Sequence, residues 1–187
     1  LMLVIAGIAA SVSATYSLAM SWLKDLPDYS DSDAYLLAEP TQVLDADGNV
    51  IAQFYMENRT PITKERCSQY VLWATVDTED ERFYEHNGVD IRGILRAVVA
   101  QLSGGSEGAS TITQQLVRNT VLSDEQFEQT LSRKVREAYI ATQLEQMYSK
   151  DDILMMYLNS IYYGAGCYGI EAAAQTYFGK SCADLTI

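Results

Sequence analysis

Apolar and polar positions fall into blocks of different period along this chain. From Leu1 to Leu23 no residue is charged, and the first charge is Lys24. At a rise of about 1.5 Å per residue, such a helix crosses a hydrocarbon core of about 30 Å. The run is strongly apolar over Leu1–Ala10 and is softened later by Ser11, Ser13, Thr15, Ser17 and Ser21. It predicts an N-terminal transmembrane helix over residues 1–23, with Trp22 near an interface. A cleaved signal peptide, with small residues at Val12-Ser13-Ala14, and a buried core helix are the alternatives.

A polar linker rich in Asp and Ser follows over residues 24–40 and reads as an exposed connector. In the region 41–61, the runs Thr41–Leu44 and Val50–Tyr55 flank Asp45-Ala46-Asp47-Gly48-Asn49 and predict a short β-hairpin. From Glu65 onward the pattern is helical. Ile91, Ile94, Leu95, Val98, Val99 and Leu102 predict one buried stripe on a helix over Ile91–Leu102. Ser103–Gly108 is a loop. The next helix opens near Ser110 or Thr111, and Thr111 with Gln114 has capping-box spacing. Further helices are predicted over Leu131–Tyr148, after Ser149 with Asp152 at the reciprocal capping position, and over Ile170–Phe178 before Gly179. The fold class is therefore mainly α, with one small β element.

Composition narrows the picture. The chain has 187 residues and carries 25 Asp+Glu against 13 Lys+Arg. This acidic balance argues against a general nucleic-acid binder, which needs a basic stripe. Three cysteines, one histidine and no CxxC spacing argue against a structural zinc site. Cys167 and Cys182 form a candidate disulfide, and an odd count leaves one thiol over.

Three segments concentrate polar chemistry. In Glu79-Asp80-Glu81-Arg82-Phe83-Tyr84-Glu85-His86-Asn87-Gly88, Glu79 stands where an apolar helix emerges at a polar turn. A partly desolvated carboxylate there suits a general base, whereas a solvated acidic surface explains the same letters. His86 reads more simply as a structural hydrogen-bonding group. In the second segment, Gly108–Asn119, hydroxyl and amide side chains crowd a helix start, where free amides can hold phosphate or sugar oxygens. Arg118 and Asn119 extend that polar wall; helix capping explains Ser110 and Thr111, but the adjacent Gln114-Gln115 less economically. In the third, Arg133-Lys134-Val135-Arg136-Glu137, Arg133 and Glu137 share a helix face. That spacing reads as a helix ion pair or as a clamp for a pyrophosphate, with Glu137 ordering the cations or a metal.

Taken in order, these segments resemble glycosyltransferase family 51, the glycosyltransferase domain of class A penicillin-binding proteins and monofunctional peptidoglycan polymerases. Lys150–Asn159 running into Ile161-Tyr162-Tyr163-Gly164, and Gly169–Ala174 with Tyr177-Phe178-Gly179-Lys180, carry the resemblance further. It covers residues 62–187 and implies a lysozyme-like, two-lobed helical domain beside the bacterial cell membrane, on its extracytoplasmic side. The implied reaction polymerises lipid II onto a nascent glycan strand, with inversion and release of undecaprenyl pyrophosphate. Glu79 matches the family's catalytic base and Glu137 its second essential glutamate. Asp80, Ser110, Gln114, Gln115, Arg118, Asn119, Arg133, Lys134 and Arg136 match substrate-binding positions. Some members use a divalent cation, Mg or Mn. A downstream transpeptidase domain is an expectation drawn from class A relatives. Two departures stand out: Thr120–Ser132 has no Lys or Arg, and family domains continue beyond Ile187.

Overall fold

A computed structural model describes residues 2–30, 35, 41–54, 57–105 and 108–187. Among them are seven α-helices: α1 (Met2–Trp22), α2 (Gln69–Glu79), α3 (Ile91–Leu102), α4 (Ile112–Asn119), α5 (Leu131–Met147), α6 (Lys150–Ser160) and α7 (Ile170–Phe178). Strands β1 (Thr41–Leu44) and β2 (Val50–Phe54) pair antiparallel. This is the expected hairpin, and its turn is closed by Asp45, whose carboxylate accepts from the amides of Asp47 and Asn49. Tyr55, the expected end of the second strand, lies outside the described residues. So does most of the expected linker, Asp31–Asp33 and Leu36–Pro40 included.

The core is built where α4 packs on α5 and α6. Ile112, Leu116, Ile140, Leu144, Ile153 and Leu158 are fully buried there, with Phe83 beside them. Two capping boxes start helices as the sequence predicts. Thr111 and Gln114 cap α4 reciprocally, and Ser149 and Asp152 do so for α6. α7 stops at Gly179, whose φ of 63° is the left-handed cap that glycine adopts without steric cost. Gly88 also needs its missing side chain. At φ 85°, a Cβ there would lie 2.7 Å from the Ala141 carbonyl, so the loop after the first motif rests directly on α5.

Four expectations change. Among the described residues no helix is long and apolar enough to cross a membrane. α1 forms over the expected uncharged run, but Ser11, Ser13, Thr15, Ser17 and Ser21 dilute its apolar character. The stripe on α3 is not buried: Leu95 is 62% exposed, Val99 63% and Leu102 84%, and only Gly93 of that helix is buried. Period reveals an apolar face but not what covers it. The linker is not wholly an exposed connector, since Tyr35 is buried, donates to the Tyr29 carbonyl at 2.9 Å and meets the Tyr148 ring edge-on. Finally, a second sheet was not expected. β3 (Asn58–Arg59) runs parallel to β5 (Cys167–Tyr168), which pairs antiparallel with β4 (Tyr162–Gly164). Asn159 pins the chain entering the domain there, accepting from the Ile62 amide and donating to its carbonyl.

Candidate active site

Glu79 is the last residue of α2, and Leu72 and Val76 bury the face that sets its direction. Glu79 itself is exposed, not partly shielded. It lines a cleft of about 150 Å³ together with Asp80, Glu81, Asp90, Ser110 and Thr111. Gln115 on α4 holds the carboxylate, donating through Nε2 to Glu79 Oε2 at 2.9 Å. The amide oxygen of Gln115 in turn accepts from the Tyr157 hydroxyl at 3.2 Å. Tyr157 is buried on α6, and burial, with the charge of Glu79 next, pushes its phenol up. It therefore stays a proton donor and fixes which way the Gln115 amide faces.

Asp80 and His86 join the first motif to the start of α4. Asp80 Oδ2 accepts from the Ile112 amide at 3.1 Å and from His86 Nε2 at 3.0 Å. The Gln114 amide donates to Thr111 Oγ1, and the Gln114 side chain accepts from the Thr111 amide. The idea that this helix start offers free amides to a ligand is thus corrected: Asp80 and Thr111 already occupy the Ile112 and Gln114 amides. Thr111 Oγ1 donates to the Gly88 carbonyl at 2.7 Å, closing the link between the two motifs. At the cleft edge, burial works against ionisation of Asp90, but Arg82 at 2.5 Å outweighs it and holds the carboxyl below its ordinary range.

The third motif lies on α5. Glu137 is fully buried, and its two oxygens are held by Arg133 and by Lys134 Nζ at 3.1 Å. Lys134 also donates to Ser110 Oγ at 3.0 Å, so it reaches the residue that lines the Glu79 cleft. Burial first, then the charges of Arg118 and Arg133, lower the Lys134 ammonium to about 8. Arg118, half-buried on α4, has no ion-pair partner among the described residues, and Asn119 ends the same helix. Arg136 points to other partners: it pairs with Glu125 at 2.7 Å and donates to the Asp25 carbonyl, tying α5 to the end of α1.

Two sets of groups thus meet at Ser110. One is a supported, exposed carboxylate. The other is the pair of cations Arg133 and Lys134 on a single buried carboxylate, with the charge of Arg118 close enough to act on both. Among the described residues no three His, Cys, Asp or Glu groups converge to hold a metal ion. With both Glu137 oxygens taken by cations and Asp80 by its own partners, this donor set does not fit a divalent ion bound by protein groups alone. Tyr157 was not singled out from the sequence; its signal is a tyrosine on the buried face of a helix, which needs a polar partner. The candidate Cys167–Cys182 pair is not formed: Cys167 Sγ meets Thr176 Oγ1, and Cys182 lies against Cys67 instead.

A family model described as transglycosylase matches residues 47–187. The chain is 44% identical over 189 residues to penicillin-binding protein 1A of Escherichia coli, covering all of this chain and 22% of that protein. It is 48% identical over 165 residues to penicillin-binding protein 1A of Vibrio cholerae, covering 87% of this chain and 20% of that one. With penicillin-binding protein 1F of Bacillus subtilis it shares 43% identity over 159 residues, covering 84% and 22% respectively. The chain therefore spans about a fifth of the length of these curated relatives. With that model matched over residues 47–187 and relatives more than 40% identical over most of its length, this chain belongs to the transglycosylase family.

Proposed function

We propose that this domain is a peptidoglycan glycosyltransferase that polymerises lipid II into β-1,4-linked glycan strands. The observation that supports the reading is Ser110, which lines the Glu79 cleft and accepts a hydrogen bond from the Lys134 ammonium. Glu79 takes the proton of the acceptor sugar's 4-hydroxyl, and that oxygen attacks C1 of the donor. The C1–O bond to the pyrophosphate breaks, the electron pair leaves with undecaprenyl pyrophosphate, and the anomeric centre inverts from α to β. Lys134, Arg133 and Arg118 balance the negative charge that grows on the leaving group. Glu137 is a positioning residue: buried beneath these cations, it fixes Arg133 and Lys134 without meeting the sugar. Gln115, braced by Tyr157, aims the base.

In this reading the helices form a lysozyme-like, two-lobed body whose cleft runs past Glu79. Membrane association follows from surface chemistry. The exposed stripe of α3 (Ile91, Leu95, Val98, Val99 and Leu102) and the outward apolar side chains of α1 (Val4, Ile5, Ile8 and Val12) suit a lipid surface. The hydroxyls of Ser11, Thr15 and Ser21 on α1 donate back to carbonyls one turn earlier, which lowers their cost in lipid. The domain works on the extracytoplasmic side of the bacterial cell membrane, where a lipid-linked donor and a growing strand meet. A transpeptidase domain belongs to the longer protein in this reading, as the class A resemblance implies.

The test is polymerisation of purified lipid II by the Glu79→Gln variant. Activity falls by at least about 100-fold while the thermal transition stays in place. Undiminished chain growth would overturn the assignment. So would release of soluble fragments from finished wall without any use of lipid II.

A further inference from the structure

Away from the cleft, two cysteines 115 positions apart meet in the core. Cys67 ends the 3-10 turn Lys64–Arg66, and Cys182 begins the 3-10 turn Cys182–Asp184. Their sulfurs are 3.3 Å apart, and the residues are 9% and 0% exposed. Both backbones are already fixed from each side. The Ser68 amide donates to the Cys182 carbonyl at 3.3 Å, and Ser68 Oγ donates to the Leu185 carbonyl at 2.6 Å. On the other flank, Glu171 of α7 accepts from the Cys182 amide at 2.7 Å and from Ser181 Oγ at 3.2 Å. A disulfide needs sulfurs at about 2.05 Å, so the two have only a short distance left to close.

We propose that Cys67 and Cys182 are a redox site that closes to a structural disulfide, locking the C-terminal turn to the start of α2. Cys167 does not take part, because it lies on the small sheet against Thr176. The oxidant is a low-molecular-weight or protein disulfide, as found in oxidising compartments. One cysteine attacks it and releases one of its sulfurs as a thiol. The second cysteine then attacks that mixed disulfide and releases the other. Two protein thiols are oxidised by two electrons, one external disulfide is reduced to two thiols, and no proton is left over.

The consequence reaches the active site through α2. The cross-link encloses Glu79, Thr111–Arg118 and Arg133–Glu137 in one covalent loop. It also anchors the turn from which α2, the helix that ends at Glu79, starts. This inference does not depend on the glycosyltransferase reading, since its readouts are thiols and stability.

The experiment uses the full chain incubated with glutathione disulfide, then denatured without reductant and titrated for free thiols. One free thiol, mapped to Cys167, and a linked Cys67–Cys182 peptide pair are expected. The oxidised chain should melt about 5–15 °C above the same chain treated with dithiothreitol. Cys167→Ser should keep that redox-dependent shift, and Cys67→Ser should lose it. Three titratable thiols after oxidation, or a linkage that includes Cys167, would overturn the proposal. If Cys67→Ser fails to fold, the wild-type comparison with and without reductant decides alone.

Discussion

Glu137 has no contact with solvent, and its charge is balanced by Arg133 and Lys134. Removing one partner of such a buried set leaves the others uncompensated and costs about 3–5 kcal/mol. Glu137→Gln should therefore lower unfolding free energy by about that amount in a denaturant titration, and abolish polymerisation as well. A variant of unchanged stability would show that the carboxylate is not what holds the two cations. Lys134 makes a separate, pH-dependent prediction. Its ammonium is lowered to about 8, by burial first and then by Arg118 and Arg133. The cation is present below that value and lost above it, so affinity for inorganic pyrophosphate should fall by up to about tenfold from pH 7 to pH 9. The effect on stability has the opposite sign. Between about 8 and the ordinary lysine value the unfolded chain binds more protons than the folded one, so this group makes folding more favourable as pH rises. Calorimetric titration of pyrophosphate, beside a melting series over the same pH range, separates the two. Weakened binding without loss of stability is expected, and Lys134→Arg should remove the pH dependence of binding.

Among the elements, α4 is the one on which the cleft depends. Its start is held by Thr111, Gln114 and Asp80, and its Gln115 holds Glu79. Thr111→Ala removes the cap and the bond to the Gly88 carbonyl together, so it should cost about 1–2 kcal/mol, measured by denaturant unfolding. Such elements are legible in sequence because the signal is local. Thr111 with Gln114, Ser149 with Asp152, and Gly179 after Phe178 mark helix ends three residues or fewer from their partners. β3 and β5 are two residues each and β4 is three, too short for alternation to register; the β3–β5 pairing also joins Asn58 to Cys167, far apart in the chain. The stripe on α3 shows the other limit. Its period is plain, yet its burial depends on a partner surface that the string of letters does not encode. The site divides in the same way. Glu79, Glu137 and Lys134 carry chemistry by residue type, while the Tyr157–Gln115–Glu79 relay exists only because α6 and α4 pack side by side.

At the scale of the whole molecule, charge and apolar surface pull in different directions. A net charge of −12 repels an anionic lipid surface, yet α1 and α3 present apolar side chains to the outside. A protein drawn to membranes by basic residues binds less as salt is added, because screening shortens the field to about 10 Å at 0.1 M. Here the sign is reversed. Salt screens the repulsion and leaves the burial of Leu95, Val99 and Leu102 in place, each contributing about 1.5 kcal/mol or more if fully transferred. Cosedimentation with vesicles containing phosphatidylglycerol should therefore hold steady or increase from 0.05 to 0.5 M salt, concentrations chosen to straddle a Debye length of about 10 Å. Leu95→Asp with Val99→Asp should weaken binding at every salt concentration without shifting the melting temperature, since neither side chain is part of the core. Binding that collapses with salt would instead place the contact on a local basic patch such as Arg92. Binding unaffected by the double substitution would assign it to α1 alone. Because Gly93 and Arg96 of α3 line the same cleft as Glu79, seating α3 in lipid would hold Glu79 close to the membrane surface.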